Sequence, residues 1–164
     1  MADPATDYFY QTVGFHFKVT FEGLPNGKDA DIRFQSVTGL DVQFDTDTIK
    51  EGGENRFTHT IPGRTNYPSG LTLKRGLLLP GNSDLTDWFH KAFQQYSADK
   101  KPAFSPLKTV LVALLNEDHK VLVKWDLSWV WPKSWKIAEF NAERSEVLIE
   151  TLELNYNRFE YKKP

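Results

Sequence analysis

Phe15-His16-Phe17-Lys18-Val19-Thr20-Phe21-Glu22 carries apolar side chains at odd positions and polar ones at even positions. A period of two predicts a strand with one buried face. Working outward, Leu24-Pro25-Asn26-Gly27 is turn chemistry. Ile32, Phe34 and Val37 resume strand character, with a slip of one residue near Ser36 that marks a bulge or bend. Leu40, Val42 and Phe44 alternate with Asp41, Gln43 and Asp45, predicting another half-buried strand.

Residues 46–60 differ. Thr46-Asp47-Thr48-Ile49-Lys50 and Arg56-Phe57-Thr58-His59-Thr60 flank the turn composition Glu51-Gly52-Gly53-Glu54-Asn55. The pattern predicts a β-hairpin. Ile49 and Phe57 are its only large apolar residues, too few to build a core for a two-stranded ribbon. Two readings stand: a solvated loop, or a protruding arm that pairs with another chain. The β-branched arms favour the second.

Ile61 to Pro68 reads as loop, and Leu71-Thr72-Leu73-Lys74-Arg75 as a short strand closed by Gly76. One helix is predicted, over residues 83–97. Asn82 or Ser83 caps it, Asp84 and Asp87 suit its first turn, and Leu85, Trp88, Phe89, Ala92, Phe93 and Tyr96 form its apolar stripe. Trp88, Phe89 and Phe93 are expected to bury. Residues 97–106 are a linker. Leu107 to Leu115 predicts a strand buried on both faces, and Asn116 to His119 a turn. Lys120 to Trp131 predicts a long strand ended by Pro132, with Trp125, Trp129 and Trp131 on one face. Trp135, Ile137 and Phe140 mark a short irregular or helical piece, and Glu146 to Phe159 a last strand of unusual length. The sum is a mainly β fold, a sandwich or barrel of two antiparallel sheets with one flanking helix.

The chain has 164 residues, enough for one domain with a core. Lys plus Arg number 20 and Asp plus Glu 22, a net charge of −2 without the basic excess of a nucleic-acid binder. With no cysteine, disulfides, Cys-ligated zinc and thiol nucleophiles are excluded. His16, His59, His90 and His119 show no ligand spacing, and no metal site or cofactor is expected from them. No nucleophile elbow, phosphate-binding loop or selected carboxylate pair is present, so no catalytic residue is assigned. Asp45-Thr46-Asp47 is read as part of a solvated arm. The tryptophan face has two readings, a ligand-stacking platform or a core or interface stripe, the second favoured. The first residues, Met1 to Asp7, show no basic region followed by an apolar run, so no signal peptide or membrane anchor is expected.

Phe34-Gln35-Ser36-Val37-Thr38-Gly39-Leu40 resembles an early strand of phage-tail-tube-like proteins. In the same order, Glu51-Gly52-Gly53-Glu54-Asn55-Arg56-Phe57, Pro62-Gly63-Arg64-Thr65-Asn66-Tyr67-Pro68 and Leu73-Lys74-Arg75-Gly76 resemble that family's hairpin and next strand. Asp84-Leu85-Thr86-Asp87-Trp88 resembles its helix start. Trp131-Pro132-Lys133-Ser134-Trp135 and the string from Glu146 to Tyr156 resemble its C-terminal region. The resemblance points to inner-tube proteins of extracellular contractile injection systems. It implies residues 1–12 as an extension and 13–161 as one tail-tube-like domain. It also implies a non-catalytic subunit of hexameric rings that stack into a tube and deliver protein cargo when a sheath contracts. Partners would be copies of itself, sheath, baseplate and cap or spike proteins. The particle would assemble in the cytoplasm and act outside the cell after release. Shaft ring and baseplate-proximal initiator ring are both compatible, with a β-sandwich ligand-binding module as the remaining alternative. The expected inter-subunit residues are Asp47, Ile49, Glu51, Gly52, Gly53, Arg56, Phe57, Arg64 and Tyr67. The expected lumen-lining residues are His16, Lys18, Thr20, Gln43 and Asp45.

Overall fold

Alternation carries β1 (Phe17–Glu22) into a sheet, with Val19 fully buried and Phe17 and Phe21 packed on the core. The computed structural model describes residues 14, 16–24, 33–50, 52–53, 56–79, 81–96, 107–143 and 145–163. The expected turn after Leu24, the linker 97–106 and the side chain of Tyr96 lie outside the described residues. The remaining elements are β2 (Ser36–Thr38), β3 (Gln43–Ile49), β4 (His59–Asn66), β5 (Leu71–Gly76), α1 (Asp84–Tyr96), β6 (Leu107–Leu115), β7 (Val121–Ile137), β8 (Ile149–Asn155) and β9 (Arg158–Lys162). All pairings are antiparallel. β1, β6, β7 and β9 make one sheet; β2, β5, β8 and the second half of β7 make the other. Among the described residues β3 and β4 pair only with each other. The chain is mainly β, as expected.

β7 is the spine of the molecule. Pro132 does not end it, and Trp135 and Ile137 continue the strand rather than forming a separate piece. Pro132 sits at a register shift against β8, where the regular ladder is interrupted and a missing N–H is tolerated. The expected single strand from Glu146 is two, β8 and β9. They run along one edge of β7 and pass from one to the other in the same register: Trp131 faces Asn155, and Ser128 faces Arg158. Between them the pleat of both strands slips by one. On β7, Leu127 points inward and then Val130 and Pro132; opposite, Phe159 packs on the core and then Tyr156 and Leu154. Trp129 takes up the slip with a left-handed φ of 55°. The paired strands therefore pass from one sheet to the other while staying bonded.

That slip also breaks the expected tryptophan face. Trp125 packs against the core, Trp129 is 62% exposed, and Trp131 turns outward with it. No three-ring platform forms. β6 is buried on one face only: Val110 and Val112 are inside, whereas Leu111 and Ala113 are half-buried.

Leu85, Phe89 and Ala92 of α1 are buried on a core that also holds Leu71, Leu73, Val110, Val112, Leu152 and Leu154. Phe93 departs from expectation at 41% exposed, because it lies at the edge of the apolar stripe. Ser83 is the cap: its Oγ accepts the Thr86 N–H at 3.1 Å. The same hydroxyl accepts Arg75 Nη2 at 2.6 Å, and Thr86 Oγ1 accepts that Nη2 at 2.7 Å. Arg75 Nε donates to Glu150 Oε1 at 2.6 Å, and Trp135 Nε1 donates to Glu150 Oε2 at 3.0 Å. Arg75 and Glu150 are direct cross-strand partners, 2% and 0% exposed, with the Arg75 guanidinium 5.5 Å over the Phe34 ring. This network locks the helix start onto β5, β7 and β8.

Breaking a buried, hydrogen-bonded pair from one side strands a charge and costs about 3–5 kcal/mol, while replacing both partners with apolar groups costs far less. Arg75→Met and Glu150→Met are each expected to lower unfolding free energy by about that amount in urea titration, and the double variant by less than either. Additive losses would contradict the coupling.

Candidate assembly surface: the β3–β4 arm and its root

The hairpin is longer than residues 46–60. β3 begins at Gln43, and β4 runs to Asn66 through a stretch whose Pro62, Gly63 and Asn66 read as loop. An exposed two-stranded ribbon tolerates such residues, because a proline there breaks no central ladder. Ile49 pairs with His59, Asp47 with Ile61, Thr46 with Pro62, and Phe44 with Thr65; a bulge sets Gly63 and Arg64 against Asp45.

Opposed residues in an antiparallel pair share a face. One face thus carries Phe44, Thr46, Thr48, Thr60, Pro62 and Thr65, with no charged group. The other carries Gln43, Asp47, Ile49, His59, Ile61 and Asn66, with Asp45 beside them: Asn66 Nδ2 lies 3.4 Å from Asp45 Oδ1. Every β3 residue is exposed. Phe44 is 63% exposed and Phe57 56%, where alternation predicts a buried Phe44. At the tip, Gly53 has φ +99° and nothing lies within 4 Å of a side chain placed there.

The arm's root is tight. Gly39 has φ +95°, and a Cβ there would stand 2.0 Å from the Gly70 carbonyl oxygen; one on Gly70 would stand 2.7 Å from that of Leu154. The strands entering and leaving the arm press together on β8, which only glycines permit. The Tyr156 hydroxyl donates to the Gly39 carbonyl at 2.7 Å. Tyr67, Tyr156 and Phe159 form a closed aromatic cluster, with centroids 5.3–6.0 Å apart.

The expected interface residues divide accordingly. Asp47, Ile49, Gly52, Gly53, Arg56, Phe57 and Arg64 sit on the exposed arm, with the Phe57 ring against His59 at 5.1 Å. Tyr67 is half-buried in its own domain at the root. Glu51 lies outside the described residues. The expected lumen residues also divide. Lys18 and Thr20 share the outer face of the first sheet with Lys124, Asp126, Glu160 and Lys162, through the register Lys18–Ala113–Lys124–Lys162 and Thr20–Leu111–Asp126–Glu160. There Lys162 bridges Asp126 at 2.6 Å and Glu160 at 3.2 Å. Gln43 and Asp45 are instead on the arm. His16 precedes β1 and meets His119, a pairing across 103 residues that spacing rules do not detect.

The chain and its fold match a known family. The model of the T4-like virus tail tube protein gp19 matches residues 13–160, nearly the whole chain, and the chain belongs to that family. Among solved structures it is similar, at 29% identity and TM-score 0.78, to a chain of the anti-feeding prophage baseplate, covering 94% of this chain and 97% of that one. It is similar to a chain of the anti-feeding prophage cap at 26% identity and TM-score 0.75, covering 100% of both. The fold is also that of a chain in the PVC sheath–tube complex of an extracellular contractile injection system, at 23% identity and TM-score 0.74 over 95% of this chain and 94% of that one. No curated protein matches the chain.

Burial holds the Tyr156 phenol above its ordinary pKa. The unfolded phenol ionises near about pH 10 while the folded one resists, so this contribution to stability is full below about pH 10 and is lost as pH rises through the folded value. The stability gap between wild type and Tyr156→Phe is expected to shrink above about pH 10 in urea titrations. A gap independent of pH would contradict the role of this hydroxyl.

Proposed function

We propose that the chain is a structural ring subunit of the inner tube in a contractile injection system, without catalytic activity of its own. The carrying observation is the β3–β4 arm: two strands with open edges, exposed on both faces, anchored by a rigid root. Such a ribbon is marginal alone and gains its stability by pairing with a neighbour. In this reading the uncharged face around Phe44 and the tip around Ile49 and Phe57 dock on adjacent copies. The rings are sixfold and stack, a sheath surrounds them, a baseplate and cap close the ends, and protein cargo moves through the lumen. Family membership and the likeness to baseplate and cap chains support it.

The lumen is assigned to the polar outer face of the first sheet, with Lys18 and Thr20. Its internally paired charges leave a hydrated surface on which cargo slides, and sixfold repetition makes even one residue a strong local field. Gln43 and Asp45 extend that lining where the arm leaves the domain. The shaft is the first reading. The 29% identity to a chain in a baseplate structure favours a second, the initiator ring that seeds the shaft. The particle assembles in the cytoplasm and acts after release.

Phe44→Asp puts a charge at the root end of the uncharged arm face, on an exposed residue outside the core cluster. It is expected to leave the domain folded by circular dichroism and to abolish rings and tubes in negative-stain micrographs. Normal tubes from this variant would overturn the assignment of the arm.

A further inference from the structure

His16 leads into β1, and His119 occupies the turn between β6 and β7. Their rings meet edge to face, with centroids 4.6 Å apart and planes at 79°. Nδ1 of His119 lies 2.9 Å from Nε2 of His16. Both residues are held by the backbone. The His16 carbonyl accepts the Leu115 N–H at 2.9 Å, the next rung of the β1–β6 ladder. His119 has a φ of 61° and donates its N–H to the Asn116 carbonyl at 3.1 Å. Asn116 Oδ1 accepts the N–H groups of Asp118 at 3.0 Å and Lys120 at 2.8 Å, which closes the turn around His119.

We propose that His16 and His119 form a two-imidazole chelate for a divalent transition-metal cation, with copper(II) bound most tightly. Neutral imidazole nitrogens bind such ions at about 2.0–2.1 Å. Two bonds of that length at a right angle set the nitrogens about 2.9 Å apart, whereas a tetrahedral angle needs about 3.3–3.4 Å. The observed 2.9 Å is the length of a hydrogen bond between the two rings, and it equals the right-angle edge that copper(II) and nickel(II) favour, so such an ion can replace the shared hydrogen with little movement of the nitrogens. Among the described residues no third His, Cys, Asp or Glu gathers with them, so water completes the coordination and the ion exchanges readily. Without metal, one ring N–H donates to the other ring's lone pair. Chelation moves that hydrogen to the ring's other nitrogen with no net release, and acid competes with the ion by protonating the imidazoles that would bind it. A bound ion staples the start of β1 to the far turn of the same sheet. This site is independent of the assembly reading.

The test is a titration of copper(II) chloride into the full chain, made without an added histidine tag, followed by electron paramagnetic resonance. One tetragonal site per chain with hyperfine splitting from two nitrogens is expected, weakened by acid, with nickel(II) and zinc(II) binding more loosely. His119→Asn preserves the left-handed turn that Asn tolerates. It and His16→Gln are each expected to weaken the site by about tenfold or more and to remove the two-nitrogen pattern. His90→Gln is expected to change neither. Absence of a two-nitrogen species in the wild type, or its survival in His119→Asn, would overturn the proposal.

Discussion

The ion pair of Arg75 and Glu150 is what the rest of the molecule is arranged around. Two charges taken out of water are costly, and their attraction repays the cost only when the remaining donors and acceptors are also satisfied. Here the partners come from separate parts of the chain: Ser83 and Thr86 from the helix start, Trp135 from the second half of β7. The pair can therefore be buried only if β5, β8, β7 and α1 are all in place. Leu71 and Leu73 share its face on β5, and Leu152 and Leu154 share it on β8. The apolar core and the polar network thus impose the same register.

A domain with its register fixed in this way supports an element that has no core. The β3–β4 arm buries almost nothing, yet its direction is set where it leaves the domain. Gly39 and Gly70 let three backbone segments touch, and Tyr156 ties that contact to β8 through its hydroxyl and to Tyr67 and Phe159 through its ring. A rigid root under an exposed ribbon lowers the entropy lost on docking. The division is physical: stability resides in the sheets and helix, and the arm, which adds little to it, is the proposed site of association.

Much of this was legible from residue order. The period of two in β1 and the period of 3.6 in α1 each survive folding, because each element has a single buried face. The hairpin's existence followed from its turn composition. Its extent did not, since Pro62 and Gly63 signal a loop unless the strand is known to lie outside the sheets. β7 crosses Pro132 for a related reason: the ladder to β8 is interrupted there by a register shift. The phase slip at Trp129 belongs to two strands at once and has no signal in either alone. The buried ion pair left a trace that pattern reading can use, a charged residue on the apolar phase of two strands, at Arg75 after Leu71 and Leu73 and at Glu150 before Leu152 and Leu154. The meeting of His16 and His119 depends on topology and left none.

The most direct test of the arm as the element of assembly is amide hydrogen exchange, read residue by residue in the free subunit and in assembled tubes. Pairing with a neighbour protects edge N–H groups that solvent reaches in the free chain. The outward-facing amides of Gln43–Ile49 and His59–Asn66, Pro62 having none, are expected to slow by about tenfold or more on assembly, while those of β5 and β8 keep the protection they already have. Unchanged exchange along both arm strands in intact tubes would contradict the account.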